Sequence, residues 1–130
     1  MRYRALWLGL GWAFVVLVIY LSLNTDPIDA GRVEGVKVGH FIAYAWLMLW
    51  FSQIYRSMTA RAALAMGFTF MGVALEYAQG MTEYRTFAYS DMGDNALGVG
   101  TGFALGWTAL GNILAAVETK VGKIRFRGAA

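Results

Sequence analysis

An uncharged stretch, residues 5–23, constrains the fold of this chain more than any other feature. A helix needs about 20 predominantly apolar residues to cross about 30 Å of hydrocarbon, and this stretch has that length. Arg2 and Arg4 precede it, as in a secretory signal peptide, but no small-x-small cleavage site follows before Pro27. We therefore predict a retained membrane-spanning helix.

Three further apolar stretches follow, over residues 38–55, 61–79 and 92–117. Hydrophobic residues make up 58% of the 130 residues, and the mean hydropathy is +0.50. A small soluble domain could not bury that much apolar surface. The chain has a single proline and no linker-like segment, so residues 1–130 are predicted to form one domain. The expected fold is an all-α, four-helix transmembrane bundle.

The basic residues distribute unevenly between the two sides that four crossings would create. Cytoplasmic loops of membrane proteins are enriched in Lys and Arg. One side would carry Arg2, Arg4, Arg56, Arg61, Lys120, Lys123, Arg125 and Arg127. The other side would carry Arg32, Lys37 and Arg85. We therefore predict that both termini are cytoplasmic and that the protein is a multi-pass protein of the cell inner membrane.

The acidic residues distribute the opposite way. Those at or beyond the outer ends of the spans are Asp26, Asp29, Glu34, Glu76, Glu83, Asp91 and Asp94. Glu118 is the only acid on the inner side. Acidic residues contribute little to topology, so their bias needs another cause. A function at the outer face is one explanation.

Polar residues near the outer ends of three predicted helices follow helical spacing. Residues three, four or seven positions apart share one face of a helix. The sets are Lys37, His40 and Tyr44 on the second span, Glu76 and Gln79 on the third, and Asp91 and Asn95 on the fourth. Ionisable groups in lipid are costly, which favours the interior of the bundle or a wet cavity for these side chains. They are the candidate ligand-binding or polar-network residues, together with Arg85.

A glycine series continues down the fourth span at Gly98, Gly102 and Gly106. Small residues four positions apart let neighbouring helix backbones approach closely. The series predicts a helix-packing face, and Asp91 and Asn95 lie on the same stripe. The glycine-rich stretch over residues 98–102 does not complete a dinucleotide-binding pattern, because Phe103 interrupts it and no strand precedes it.

The ordered set of these motifs resembles the VanZ-like membrane proteins. The elements that carry the resemblance are Lys37-x-x-His40-x-x-x-Tyr44, Glu76-x-x-Gln79, Arg85, and Asp91-x-x-x-Asn95-x-x-Gly98-x-x-x-Gly102. They cover about residues 26–106. The chain departs from the family pattern at Asp94 and in the loop over residues 81–90.

The resemblance implies a bacterial inner-membrane protein with a role in the cell envelope. Founding members of the family are associated with low-level resistance to the glycopeptide teicoplanin, so the resemblance links this chain to antibiotic resistance. It implies no defined reaction. The expected ligand is an envelope-related molecule that is lipid-linked, a phospholipid or related to peptidoglycan.

The residue types exclude some chemistries and leave others open. There is no cysteine, and His40 is the only histidine, so we predict no metal site and no cofactor. His40 and Glu76 could serve as an acid and a base in an intramembrane enzyme acting on a lipid headgroup, but the sequence shows no paired nucleophile. Whether the protein is an enzyme is left open.

Two interpretations of the polar residues at the outer ends of the helices are left open. In one, Lys37 and Arg85 hold an anionic group while Glu76, Asp91 and Asn95 accept hydrogen bonds from a bound ligand. In the other, an interhelical network only fixes the bundle, as in a structural or accessory subunit of a larger membrane complex. Its members would be His40, Glu76, Gln79, Arg85, Asp91 and Asn95.

The expected partners follow from the membrane location. They are membrane lipid and an envelope ligand, with a membrane-protein partner or a homo-oligomer left open. The net charge is +3, but its basic residues lie at segment ends, without the interleaved aromatic residues of a nucleic-acid surface, so nucleic acid is not expected. The basic tail over residues 120–127 suits anionic lipid headgroups.

Overall fold

The computed structural model describes residues 1–24, 33–81 and 89–128, with the side chains of residues 33–37 and 89–90 left aside. The described residues are helical and contain no strand, which confirms the all-α prediction. The helices are α1 (Arg4–Leu23), α2 (Val33–Ile54), α3 (Met58–Gly80), α4 (Tyr89–Leu105) and α5 (Ile113–Gly128). A short 3-10 helix, Ala109–Asn112, separates α4 from α5.

By length and composition, α1 and α3 are each able to cross a membrane. A third crossing results if α4 and the segment after it are taken as one bent span. The apolar part of α2, Val38–Ile54, is shorter. These apolar helices agree with a membrane location.

The helix α2 lies between its neighbours and contacts α1, α3 and α4. Trp50, near the end of α2, donates a 3.0 Å hydrogen bond from Nε1 to the backbone oxygen of Trp7, near the start of α1, so the two helices are antiparallel. Gln79 donates from Nε2 to the oxygen of Ser22, 2.5 Å away, which joins the ends of α1 and α3. These contacts define two ends of the structure.

The basic end comprises the start of α1, the α2–α3 connection and the end of α4. It carries Arg2, Arg4, Arg56 and Arg61. The polar end comprises the end of α1, the start of α2, the end of α3 and the start of α4. It carries the side chains His40, Glu76, Gln79, Asp91 and Asn95. The two kinds of charge that the sequence separates therefore also separate in the structure.

Two glycines of α4 set the closest approach between helices. A Cβ atom at Gly98 would lie 2.4 Å from the backbone oxygen of Phe41, and one at Gly102 would lie 2.3 Å from that of Ala45. Both distances are far below van der Waals contact. The order of these contacts makes α2 and α4 parallel, and the absence of a side chain at both glycines allows the close approach.

The fourth predicted stretch, 92–117, is not one continuous helix. The helix α4 ends at Leu105, and the axes of its Asp91–Leu105 part and of the Ala109–Gly128 segment differ by 71°. Gly106 therefore lies just outside α4, where its Cβ position would be 2.7 Å from the Ser52 Cβ. At the bend, Gly106 also meets Gly111, whose Cβ position would be 2.0 Å from the Gly106 oxygen. Gly106 therefore meets both α2, at Ser52, and the segment that follows the bend, at Gly111.

A buried arginine holds the basic end together. Arg61 is 3% exposed and donates from Nη2 to the oxygen of Ser52, at 2.7 Å, and from Nε to that of Tyr55, at 3.1 Å. These bonds satisfy carbonyl groups that the end of α2 leaves without helical partners. The Arg61 guanidinium also lies 4.2 Å from the centre of the Trp107 ring, immediately after α4. One cation therefore joins α2, α3 and the bend.

Candidate functional site at the polar end

Polar side chains that occupy helical faces become buried together at the polar end. Four of the predicted residues lie almost wholly out of solvent: Glu76 at 2% exposure, Gln79 at 3%, Asn95 at 3% and Asp91 at 8%. Tyr44 is 1% exposed and His40 is half-buried. Buried polar groups of this kind are retained only where they are hydrogen-bonded or functional. The cluster therefore requires an explanation beyond chance placement.

The contact between His40 and Asn95 joins α2 to α4. The Nδ1 atom of His40 lies 3.1 Å from the Oδ1 atom of Asn95. Because an amide oxygen only accepts, Nδ1 carries the proton in this bond. Within the described part of the chain, no partner occupies His40 Nε2. This nitrogen can accept a hydrogen bond when the ring is neutral and donate one when the ring is charged.

Asn95 also borders α3. A Cβ atom added at Gly72 would lie 3.1 Å from both the Cβ and the Nδ2 atoms of Asn95, and 3.4 Å from the Tyr44 ring. Gly72 therefore leaves the space that Asn95 and Tyr44 fill between α2, α3 and α4. Glycine at this position supports the geometry of the cluster without contributing a polar group.

Glu76 lies one turn beyond Gly72 on α3, and its side chain is 2% exposed. Gln79, the second residue of the α3 face, turns to α1, where it binds the Ser22 oxygen. Gln79 therefore has a structural contact that joins helix ends.

Asp94 lies three positions after Asp91 on α4 and is not among the site residues predicted from the sequence. Its Oδ2 atom is buried and has no hydrogen-bond partner among the described residues. A buried carboxylate oxygen without a donor is unusual and marks a place where a donor would be stabilised. The three-residue spacing from Asp91 is the signal that could have identified it.

Two of the predicted site residues fall outside what the structure describes. Arg85 lies between the described ranges, and for Lys37 only the backbone within α2 is described. Their roles toward an anionic group stay predictions. Among the described residues, no group of three or more His, Cys, Asp or Glu side chains is arranged to hold a metal ion.

The arrangement is chemically suited to hold a polar group. Acidic side chains of Glu76, Asp91 and Asp94 provide acceptors, and the His40 ring provides a group that accepts or donates. Burial strengthens each such hydrogen bond, since the surrounding dielectric constant is low.

Comparisons of the chain with family models, curated proteins and solved structures gave no match.

Proposed function

We propose that this protein is a VanZ-like, multi-pass inner-membrane protein whose polar end faces outward and binds an envelope-related molecule. In this proposal α1, α2, α3 and α4 each cross the bilayer as a four-helix bundle, and both termini are cytoplasmic. The alternating directions of the four helices support the arrangement, since the basic end then carries the arginines expected on the cytoplasmic side.

The observation that carries the proposal is the open hydrogen-bonding capacity of the cluster. His40 Nε2 and Asp94 Oδ2 have no partners among the described residues, and they lie on α2 and α4, which the His40–Asn95 contact joins. The Asp94 Oδ2 atom is buried, and a buried acceptor is stabilised when a donor reaches it. A ligand with hydroxyl or amine donors would provide a donor for either atom.

The ligand class follows from the membrane setting and the charges. Hydroxyl and amine donors occur on phospholipid headgroups and on the sugar and peptide parts of lipid-linked or peptidoglycan-related molecules. Lys37 and Arg85 would hold an anionic part of the same molecule. By resemblance, a link to teicoplanin resistance belongs to this proposal.

Single substitutions test binding against a structural role. His40→Ala, Asn95→Ala and Glu76→Gln are expressed in cells lacking the native copy, and both envelope-drug sensitivity and protein abundance are measured. Binding predicts a changed sensitivity at normal abundance. If the drug sensitivity changes only in variants whose protein abundance falls, the polar residues form a purely structural network and the binding proposal is wrong. Gln79→Ala serves as a comparison, because its side chain contacts Ser22 on α1 and is expected to affect abundance first.

An intramembrane enzyme is the second function to be tested on the same protein. Purified protein is incubated with lipid-linked and phospholipid substrates across a range of pH. Conversion that disappears in the His40→Ala variant would replace the binding proposal with a catalytic one, whereas binding without conversion supports the proposal.

A further inference from the structure

A second charged region lies at the opposite, basic end. A groove of about 600 Å³ is open to the surface between the start of α1, the α2–α3 connection and α5. The groove is lined by the side chains of Arg2, Arg4 and Arg56. Its apolar wall includes Ile54 and Ala115. Its composition of guanidinium groups over an apolar wall differs from that of the acidic polar end.

None of these three arginines forms an ion pair within the described part of the chain. The Arg2 guanidinium lies 5.8 Å from the Tyr3 ring centre, and the Arg4 guanidinium lies 5.2 Å from that of Tyr55. Arg56 donates to the side-chain oxygen of Asn112. Neutral partners therefore orient the three groups and leave their charges uncompensated.

The one carboxylate in the groove is already occupied. Glu118 accepts hydrogen bonds from the backbone N–H groups of Arg2, at 2.9 Å, and Tyr3, at 3.0 Å, and from the Trp7 indole, at 2.7 Å. These bonds fix the start of α1 against α5, so they build the wall of the groove. The carboxylate oxygens of Glu118 accept hydrogen bonds from N–H groups, and Glu118 forms no ion pair with a guanidinium among the described residues.

The helix α5, which borders the groove, also has an exposed apolar face formed by residues outside the groove lining. Its exposed apolar residues Ile113, Val117, Val121 and Ile124 recur at the spacing of one helical face. Lys120, Lys123, Arg125 and Arg127 flank that face. Such a face is typical of a helix lying in the membrane interface. The 71° bend from α4 directs α5 toward the membrane plane when α4 runs along the normal.

We infer that the groove binds the phosphate-bearing headgroup of an anionic phospholipid from the adjacent leaflet. Guanidinium groups bind phosphate oxygens through paired, charge-assisted hydrogen bonds. The apolar wall formed by Ile54 and Ala115 provides the surface against which the acyl chains begin. This site is separate from the polar end and does not depend on the function proposed there.

Native mass spectrometry of the purified full chain in non-ionic detergent tests the site. Phosphatidylglycerol is titrated as the probe, and phosphatidylcholine is its neutral comparison. The test variant is R2Q/R4Q, because both side chains line the groove and their guanidinium groups lie near aromatic rings. The matched control is K120Q/K123Q, which removes the same charge from exposed positions on α5 outside the arginine cluster. Thermal unfolding verifies that both variants remain folded.

We expect wild type to bind one phosphatidylglycerol more tightly than phosphatidylcholine. R2Q/R4Q should weaken that first binding step at least about tenfold, as for loss of charge-assisted hydrogen bonds, while K120Q/K123Q changes it less than about twofold. Equal weakening in both variants, or no headgroup preference in wild type, would overturn the inference. If R2Q/R4Q unfolds, the single variants R2Q and R4Q are judged by the same criterion.

A competition arm separates a lipid headgroup from a soluble phosphate compound. Inorganic phosphate is added to the wild-type protein with bound phosphatidylglycerol. A lipid site predicts that the lipid remains bound, since its acyl chains contribute binding that free phosphate lacks. Complete displacement by millimolar phosphate would identify a soluble-anion site and overturn the lipid assignment.

Discussion

The His40 Nδ1 atom lies 3.1 Å from the Asn95 Oδ1 atom, so a side-chain hydrogen bond joins α2 and α4 across 55 residues of sequence. The two helices are parallel and in direct backbone contact below this bond, at Gly98 and Gly102. The position of the polar cluster is therefore coupled to the packing of α2 on α4. Substitutions that alter this packing should alter the cluster.

Gly72→Ala tests the cluster from its α3 side. The added Cβ would lie 3.1 Å from Asn95, so Asn95 must shift by a few tenths of an ångström. We expect a loss of about 1 kcal/mol in the free energy of unfolding, together with the changed drug sensitivity predicted for Asn95→Ala. Gly67→Ala is the control, because its Cβ would meet nothing within 4 Å. Equal behaviour of the two variants would contradict the described geometry.

Gly102→Ala tests the contact between α2 and α4. Its Cβ would lie 2.3 Å from a backbone oxygen, which cannot move aside as a side chain can. The helices must separate, at an expected cost of about 1–3 kcal/mol. Gly100→Ala, two residues earlier, would meet nothing within 4 Å and should leave stability nearly unchanged. Thermal unfolding in detergent measures both, and a stable Gly102→Ala variant would count against the close approach.

Arg61→Gln tests the buried cation at the basic end. The substitution removes charge-assisted bonds to the Ser52 and Tyr55 oxygens and the stacking on Trp107. We expect a loss of about 2–4 kcal/mol. Arg56→Gln removes the same charge from an exposed side chain on the same side, so its cost should be below about 1 kcal/mol. Equal costs would mean that charge alone, without burial, determines the effect.

The Glu118 carboxyl predicts a pH dependence. Desolvation raises its pKa, but hydrogen bonds from Arg2, Tyr3 and Trp7 together lower the pKa below its ordinary value of 4.5. A depressed folded-state pKa stabilises the fold above pH 4.5, and this contribution is lost as the pH falls through the lower folded value. Wild type should therefore exceed Glu118→Gln in stability at pH 7, and the gap should narrow below pH 4.5. A gap that stays constant from pH 7 to strongly acidic conditions would be the opposite result.

Hydropathy predicted the apolar helices because the bilayer constrains their length and composition. The predicted first stretch, 5–23, matches α1 (Arg4–Leu23), and the third, 61–79, lies within α3 (Met58–Gly80). The second, 38–55, corresponds to the apolar part Val38–Ile54 of α2, and α2 itself starts earlier, at Val33. Glu34 and Lys37 end the apolar run without ending the helix, because charged residues are compatible with helical structure outside hydrocarbon.

The bend after α4 could not be predicted from hydropathy. Residues 106–112 contain neither proline nor a charged residue, so the apolar run continues through them. The interruption depends on Gly106 and Gly111 in backbone contact and on Thr108, whose hydroxyl accepts from the Leu110 N–H. Such contacts are tertiary or local capping features that a sliding average does not register.

Helical spacing predicted part of the candidate site. It grouped His40 with Tyr44 and Asp91 with Asn95, because side chains on one face of a helix meet the same neighbour. It did not predict that Gln79 turns to Ser22, nor that Glu118 binds the start of α1. Both contacts depend on which helix ends meet, and spacing within a single helix carries no information about that.

The central claim is that the polar end of a membrane-spanning bundle faces outward, and cysteine labelling tests it most directly. The chain contains no cysteine, so each introduced thiol is unique. Exposed methionines mark both ends and the middle of α3: Met58 at the basic end, Met66 within the helix and Met81 at the polar end. With a membrane-impermeant maleimide on intact cells, we predict labelling of Met81→Cys alone. Met58→Cys should react only after the membrane is opened. Met66→Cys should react neither in intact cells nor after the membrane is opened. Labelling of Met58→Cys but not Met81→Cys in intact cells would contradict the outward orientation and the binding function assigned to it.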